Sequence, residues 1–233
     1  MTAKSPVVPS RIRTFYRRGG RPPLLRRLNH PRIKRLVDIA FSLFALTIFA
    51  PFYLTIAALV ALTSPGPVFY VQKRVGKDFR AFGCIKFRTM VQHADLMMAK
   101  LLESDPEMQQ EFAQNFKLKH DPRITPIGHF LRVTSLDEFP QFWNVLMGDM
   151  SVVGPRPLVP EELVRYGDQI NRVLTIRPGI TGLWQVSGRN DIPYPQRVRI
   201  DSFYVSNHHV GLDIKIAIKT IGVVLFPKGN GAY

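Results

Sequence analysis

The sequence predicts an α/β fold, mixed and mostly helical, held on a membrane by an N-terminal re-entrant helix hairpin and completed by a small cytoplasmic domain with interfacial amphipathic helices. Three observations predict it. From Leu36 to Leu62 the only formal charge is Asp38, among Leu, Ile, Val, Phe and Ala, a run long enough to embed in a bilayer. Basic residues lie on both sides of that run. After it come short alternating segments and several amphipathic ones, the pattern of a mixed domain.

The chain divides at the run. Residues 1–33 form a basic arm, predicted to be disordered; residues 34–63 form the membrane helix and residues 64–233 the cytoplasmic domain. The 32 Lys and Arg stand against 17 Asp and Glu, a net charge of +15, and Met1 to Arg35 holds eleven of the bases and no acid. Such an arm meets a polyanion, either nucleic acid or an anionic membrane surface, and the apolar run beside it selects the membrane. No nucleic acid is expected. The run starts too far from Met1 to read as a cleaved signal peptide. The one cysteine, Cys84, excludes an internal disulfide and a multi-cysteine metal site, and the six histidines lack metal-ligand spacing.

Pro51 falls near the middle of the run, where it removes the bond to the Thr47 carbonyl and bends the helix. Downstream lie Lys73, Arg74, Lys77, Arg80, Lys86 and Arg88 against Asp78 alone. With positive flanks kept cytoplasmic, both ends fall on one side and the bent helix is re-entrant. A single span with the basic arm outside is the alternative. Lys34, Arg35 and Pro51 are the residues assigned to the anchor.

Further along, Val68 to Val71 and Ala81 to Phe87 predict strands around a turn at Gly76. Leu96 to Lys119 predicts a helix broken at Asp105-Pro106, and Ile127 to Val133 a short helix. The next helix has Phe139, Phe142, Trp143 and Leu146 as its buried stripe and Gly148 as its stop. Pro160 to Ile170 and Gln196 to Val205 predict two more. In the last helix Ile214, Ala217, Ile218, Ile221 and Leu225 share one face, which packs on the core or lies on the membrane interface.

Asp137 and Glu138 stand out as adjacent carboxylates in a basic protein. Pro140, which lacks an N–H, fits only the first turn of a helix. The acids therefore sit at a helix start, where the dipole and unpaired N–H groups predict that both are ionised. Ser135 and Glu138 also fit a capping box, so capping and chemistry compete for the pair. Held carboxylates can act as nucleophile or metal ligand. Lys86 and Arg88 are predicted to share one strand face, suited to phosphate. Arg156, between Pro155 and Pro157, is presented by a stiff backbone. Arg177 to Gly182 and Gly188 to Asp191 give Gly-punctuated loops in which backbone can approach a ligand.

Taken in order, Lys34-Arg35-Leu36-Val37-Asp38, Thr63 to Phe69, Lys86-Phe87-Arg88-Thr89-Met90, Ser135-Leu136-Asp137-Glu138, Gly148-Asp149-Met150-Ser151, Gly154-Pro155-Arg156-Pro157, Arg177 to Gly182 and Gly188-Arg189-Asn190 resemble the bacterial sugar transferases. These are monotopic phosphoglycosyl transferases that begin polysaccharide and glycoconjugate assembly. The resemblance runs from about Pro31 to Tyr233.

It implies a membrane enzyme of the bacterial inner membrane, with its catalytic domain on the cytoplasmic face. Its partners would be a UDP-hexose, undecaprenyl phosphate and membrane lipids. By the resemblance Asp137 is the nucleophile on the β-phosphate, releasing UMP, and Glu138 holds Mg²⁺. Lys86, Arg88, Arg132, Arg156 and Arg189 match phosphate and nucleotide contacts. Family members often carry Ser-Pro at the helix break where this chain has Ala50-Pro51. The absence of an additional N-terminal membrane domain and the ending Lys228 to Tyr233 resemble exopolysaccharide transferases that use glucose or galactose. A homodimer is an open option that no residue pattern argues for. Two rivals remain: a non-enzymatic membrane-surface adaptor built on the basic arm, and an enzyme in which lipid phosphate attacks directly.

Overall fold

The computed structural model describes residues 30–115, 118, 121–188 and 192–225. Most of the basic arm and Arg189 lie outside them. Helix α1 (Pro31–Ile48) opens with proline in its first turn, and His30 Nδ1 accepts from the Arg32 amide. Helix α2 (Ala50–Thr63) follows after Phe49 alone, and the two axes are bent by 64°. Pro51 does not kink a helix interior. It occupies the first turn of α2, and the break falls at Phe49, whose ψ of 9° ends α1. The bend forms with Ala50 in place of a serine hydroxyl. Among the described residues no single helix is long and apolar enough to cross a membrane; α1 and α2 together have the length and composition of a broken span or a re-entrant loop.

Helix α1 presents two chemically different faces. Leu36, Val37, Phe41, Leu43, Phe44 and Ile48 are exposed, while Asp38, Ser42 and Ala45 are buried. The basic residues at its start turn inward with them. Lys34 pairs with Asp213 at 2.8 Å, and Arg35 donates to the carbonyls of Val145 and Leu146. Those carbonyls close helix α6 (Gln141–Met147), whose C-terminal end carries unpaired acceptors and the negative end of the dipole. Both cations therefore bolt the anchor to the rest of the chain, in addition to any role at headgroups.

The predicted hairpin is present: β1 (Phe69–Val75) pairs antiparallel with β2 (Ala81–Phe87), Phe69 opposite Phe87. Helices α3 (Ala94–Ser104) and α4 (Pro106–Asn115) meet at the predicted proline break, and α5 (Pro126–Thr134) covers the predicted short helix. The segment read as one helix from Pro160 is a run of 3₁₀ turns, Pro160–Gln169, broken at Gly167 and continued by α7 (Ile170–Val173). Helices α8 (Tyr194–Asn207) and α9 (Val210–Leu225) complete the chain, and Tyr204, Ile200, Leu212 and Ile216 form a core with Leu183 and Trp184. On α9, Leu212 and Ile216 face that core, whereas Ile214, Ile218 and Ile221 are exposed.

Two features depart from the periodicity. A parallel pair, β3 (Ser151–Val153) and β4 (Gly179–Thr181), is too short to predict from alternation. It brings together the two glycine motifs: a Cβ on Gly179 would lie 2.1 Å from the Gly154 nitrogen. The small residues serve this backbone contact. The stripe assigned to α6 is also corrected. Its buried residues are Gln141, Asn144 and Val145, while Trp143 is 53% exposed. Phe139 and Phe142 pack instead against Phe49 and Phe41 of the bent helix pair. Phe142 of α6 turns toward α1, and the amide of Asn144 bonds β2 through Gly83 and Ile85. Gly148, in the left-handed region at φ 95°, stops the helix as expected.

Asp38 is 5% exposed and accepts from the Ser151 hydroxyl at 2.8 Å and the Val152 amide at 3.0 Å. Bonds to a buried charge contribute about 1.5–3 kcal/mol each. Asp38→Ala is expected to cost about 3 kcal/mol, read as lowered thermal stability of the protein in nanodiscs. Asp38→Asn, which keeps one acceptor, falls between that variant and the parent. An unchanged melting temperature in Asp38→Ala would remove this clamp from the account.

Candidate active site at the acid pair

The acid pair lies on a single 3₁₀ turn, Leu136–Glu138, between α5 and α6. Ser135 before it is in the left-handed region at φ 59°, where it ends α5 by donating its amide to the Arg132 and Leu131 carbonyls. It makes no side-chain cap for the turn that follows. The predicted capping box is therefore absent, and the Glu138 carboxylate is free to face other groups. Pro140 follows directly, just ahead of Gln141, which starts α6.

Lys86, next to the end of β2, reaches both acids: its ammonium is 2.7 Å from Glu138 and 3.6 Å from Asp137. Arg156 approaches Glu138 at 3.4 Å. Burial opposes ionisation of Glu138, but Lys86 and then Arg156 outweigh it and hold its pKa at about 2. Asp137 goes the other way. Burial raises its pKa against the pull of Lys86, and the adjacent Glu138 charge adds to the rise. The expectation that both acids are ionised meets an asymmetry: even with Lys86, Arg132 and Arg156 nearby, burial and the Glu138 charge make Asp137 the harder of the two to charge.

Arg132 comes from α5. That helix approaches the end of β2 closely because residue 128 is glycine, where a Cβ would lie 2.0 Å from the Thr89 carbonyl. Arg132 Nε consequently donates to Thr89 Oγ1 at 2.9 Å. Burial lowers its pKa, opposed first by the Asp137 charge, which marks the acid as its electrostatic neighbour.

Arg156 lies 5.9 Å from the Trp184 ring centroid, and Arg197 is 4.6 Å from the same centroid. Arg197 is buried and pairs with Glu162 at 3.3 Å. Arg74 joins this set. It donates to the Pro157 carbonyl at 3.0 Å and lies 3.8 Å from Glu162. Burial, helped by Arg156, pushes its pKa down to about 10. The sequence reading counted Arg74 only as a flanking charge. The predicted strand stops at Val71, and Arg74 and Val75 are both buried at the end of β1, so alternation carried no signal for it.

A small, narrow cleft opens among these groups, lined by Arg74, Cys84, Lys86, Glu138, Gln141 and Arg156, with Pro157 and Ile180. Arg88 is not among them. It is buried and donates to the carbonyls of Ser64 and Pro65, closing the C-terminal end of α2. The strand ends at Phe87, so the alternation that paired Arg88 with Lys86 does not extend to it. Of the predicted contacts, Lys86, Arg132 and Arg156 gather around the acids, Arg88 does not, and Arg189 lies outside the described residues.

Among the described residues no group of three or more His, Cys, Asp or Glu is placed to hold a metal ion. Mg²⁺ does not require one, since it takes one or two carboxylates and fills its octahedron with substrate phosphates and water. Glu138 and Asp137 provide that minimal pair, and Lys86 already shows a cation held between them. The residues fit the ion in this sense.

The chain is similar in sequence to several bacterial transferases. The chain is 48% identical over 201 residues to a UDP-galactose-lipid carrier transferase of Erwinia amylovora, covering 86% of the chain and 42% of that relative. It is 48% identical over 201 residues to an undecaprenyl-phosphate galactose phosphotransferase of Salmonella typhimurium, with the same coverage of 86% and 42%. The chain thus spans less than half the length of these two relatives. The exopolysaccharide production protein ExoY of Sinorhizobium fredii is 41% identical over 197 residues, covering 84% of the chain and 87% of the relative. Residues 29–227, which include the anchor, the acid pair and the cation set, match the family described as bacterial sugar transferase, and the chain belongs to that family.

Proposed function

We propose that the chain transfers a hexose 1-phosphate from a UDP-hexose to undecaprenyl phosphate, releasing UMP, as the first membrane step of exopolysaccharide or glycoconjugate synthesis. One observation carries the reading: two adjacent acids share Lys86, with Arg156 on Glu138, on a turn packed against an apolar bent helix pair. The galactose named in two relatives makes UDP-galactose the first donor to test, with UDP-glucose second. The adaptor reading leaves the acids and their cations without a role, although they lie inside the family match.

In the first step a carboxylate oxygen of Asp137 attacks the β-phosphorus. The bond from that phosphorus to the bridging oxygen breaks, and UMP departs with the electron pair. The sugar phosphate is then an acyl phosphate on Asp137. In the second step an oxygen of the polyprenyl phosphate attacks the same phosphorus, forming the lipid diphosphate sugar and returning Asp137 as a carboxylate. Lys86 and Arg132 favour the charged, attacking form of Asp137, against burial and the Glu138 charge. Arg156, stiffened by its flanking prolines, supports the charge on the diphosphate oxygens. Mg²⁺, held by Glu138 beside Asp137, offsets negative charge on the diphosphate when bound.

The bent helix pair supports a re-entrant anchor, with the domain on the cytoplasmic face of the inner membrane. The break at Phe49 bends the chain by 64° away from a straight span, and the inward bolts from Lys34 and Arg35 keep the start of α1 beside the domain.

Three outcomes follow. In nanodiscs with Mg²⁺, the parent releases UMP from UDP-galactose or UDP-glucose without lipid acceptor, up to one equivalent; Asp137→Asn lowers turnover at least ~1,000-fold, since an amide forms no acyl phosphate. UMP release only when acceptor is added would favour direct attack by lipid phosphate. Chelation with EDTA stops turnover and added Mg²⁺ restores it; activity that survives chelation would remove the metal. For topology, the only native cysteine is buried Cys84. Arg32→Cys in intact cells is therefore expected to resist a membrane-impermeant thiol reagent, whereas labelling would mean a full span.

A further inference from the structure

The turn that carries the acids is held weakly by its own backbone. Its two closing bonds, Glu138 N to Ser135 O and Phe139 N to Leu136 O, are long at 3.3 and 3.2 Å. It is entered through a left-handed residue, Ser135, and left through Pro140, which has no amide to donate. A short 3₁₀ turn of this kind has poor intrinsic hydrogen bonding. Its orientation must come from groups outside it. Lys86 is one, but it engages the carboxylates, the groups that have to change partners during a reaction.

The other outside group comes from the membrane helix. Tyr53 of α2 donates its hydroxyl to the carbonyl of Phe139, the residue directly after Glu138. Its ring lies 5.5 Å from Phe139 at 74° and 5.9 Å from Phe87, one residue before Arg88 and one after Lys86. Beneath it Ile56 and Val60 of α2 pack with Leu131 and Leu136, the latter within the turn itself. Neighbouring residues on α2, Phe52 and Leu54, are exposed. One helix therefore has an apolar face turned outward and a phenol on the backbone of the acid-bearing turn.

We propose that Tyr53 is a positioning residue for the Asp137–Glu138 turn, through which the membrane helix sets the placement of the nucleophile. The inference rests on the transferase reading for its kinetic effect, but its structural part stands without turnover. The ring fixes where the turn packs, and the hydroxyl fixes the rotation of the Phe139 peptide, hence the direction in which the preceding carboxylates leave the backbone. A misplacement of about 1 Å at a reacting group costs on the order of 100-fold in rate. The loss of one neutral hydrogen bond changes overall stability by only about 1 kcal/mol.

Tyr53→Phe keeps the ring and removes only the hydroxyl. In nanodiscs its kcat for UMP formation with acceptor is expected to fall about 10- to 100-fold, with KM for the UDP-hexose within about twofold and the melting temperature nearly that of the parent. Amide hydrogen exchange across Ser135 to Phe142 is expected to accelerate in the same variant while the exchange of β1 and β2 stays unchanged. Unchanged exchange across that segment overturns the proposal whether or not any UDP-hexose is turned over. So does a kcat within twofold of the parent, or a loss of activity matched by an equal loss of folded protein. A parent that releases UMP from no nucleotide sugar, with exchange faster in Tyr53→Phe, would sink the transferase reading and leave the positioning contact standing.

Discussion

A carboxylate in the otherwise apolar run after Arg35 is tolerated only where its charge is met, and Asp38 is met by β3. Its two oxygens accept from the Ser151 hydroxyl and the Val152 amide. Two residues on, the Val153 carbonyl accepts from Lys34, and the Ser151 and Tyr204 hydroxyl oxygens lie near it at 3.0 and 3.2 Å; Tyr204 gives its one proton to Asp213, the partner of Lys34, at 2.6 Å. Helix α1, strand β3 and helices α8 and α9 thus share one polar knot. Arg35 extends it to the carbonyls that end α6. The anchor is joined to the domain by charges that have no better place to go.

From that knot the site follows by short steps. Helix α6 is held at its C-terminal end by Arg35 and, through Gly148, by Arg177. Along its length Asn144 fastens it to β2. The turn at the front of α6 and the lysine near the end of β2 are consequently brought together, which is why Lys86 can bridge two adjacent acids. The surrounding cations divide the pair: Glu138 faces Lys86 and Arg156 and is readily charged, while Asp137, deeper and beside another negative charge, is not. Such an acid gains most from a further cation. That difference suits separate roles better than two interchangeable carboxylates would.

The hairpin was legible because seven-residue strands display alternation, and the proline breaks were legible because a missing amide has only one consequence for a helix. Strands β3 and β4, at three residues, are below the length at which periodicity exists. Trp143 was misread as core because apolar periodicity reports a dry surface without saying what dries it. Here a neighbour of that helix is α1, whose own outer face is apolar, and its buried face carries Gln141 and Asn144. Arg88 was misplaced because alternation was carried one residue beyond the strand. Ser135 could not cap the acids because the end of α5 had already placed it in the left-handed region, a tertiary circumstance that local pattern does not encode. The acid pair, Lys86, Arg132 and Arg156 were legible as types. Their convergence was not.

The exposed apolar residues of α6 have a bearing on how an acceptor arrives. Trp143 is 53% and Met147 65% exposed on the helix directly behind the acids, and Phe142 packs on Phe41 of the anchor. Were those side chains immersed, as the proposed anchor implies, the acid turn would lie near the phosphate headgroups. A polyprenyl phosphate would then reach it by lateral diffusion within one leaflet, and the quantity that governs saturation would be molecules per unit of membrane area. Diluting the bilayer with inert lipid would slow the second half-reaction at constant bulk concentration, whereas the water-soluble nucleotide sugar would still be counted per volume.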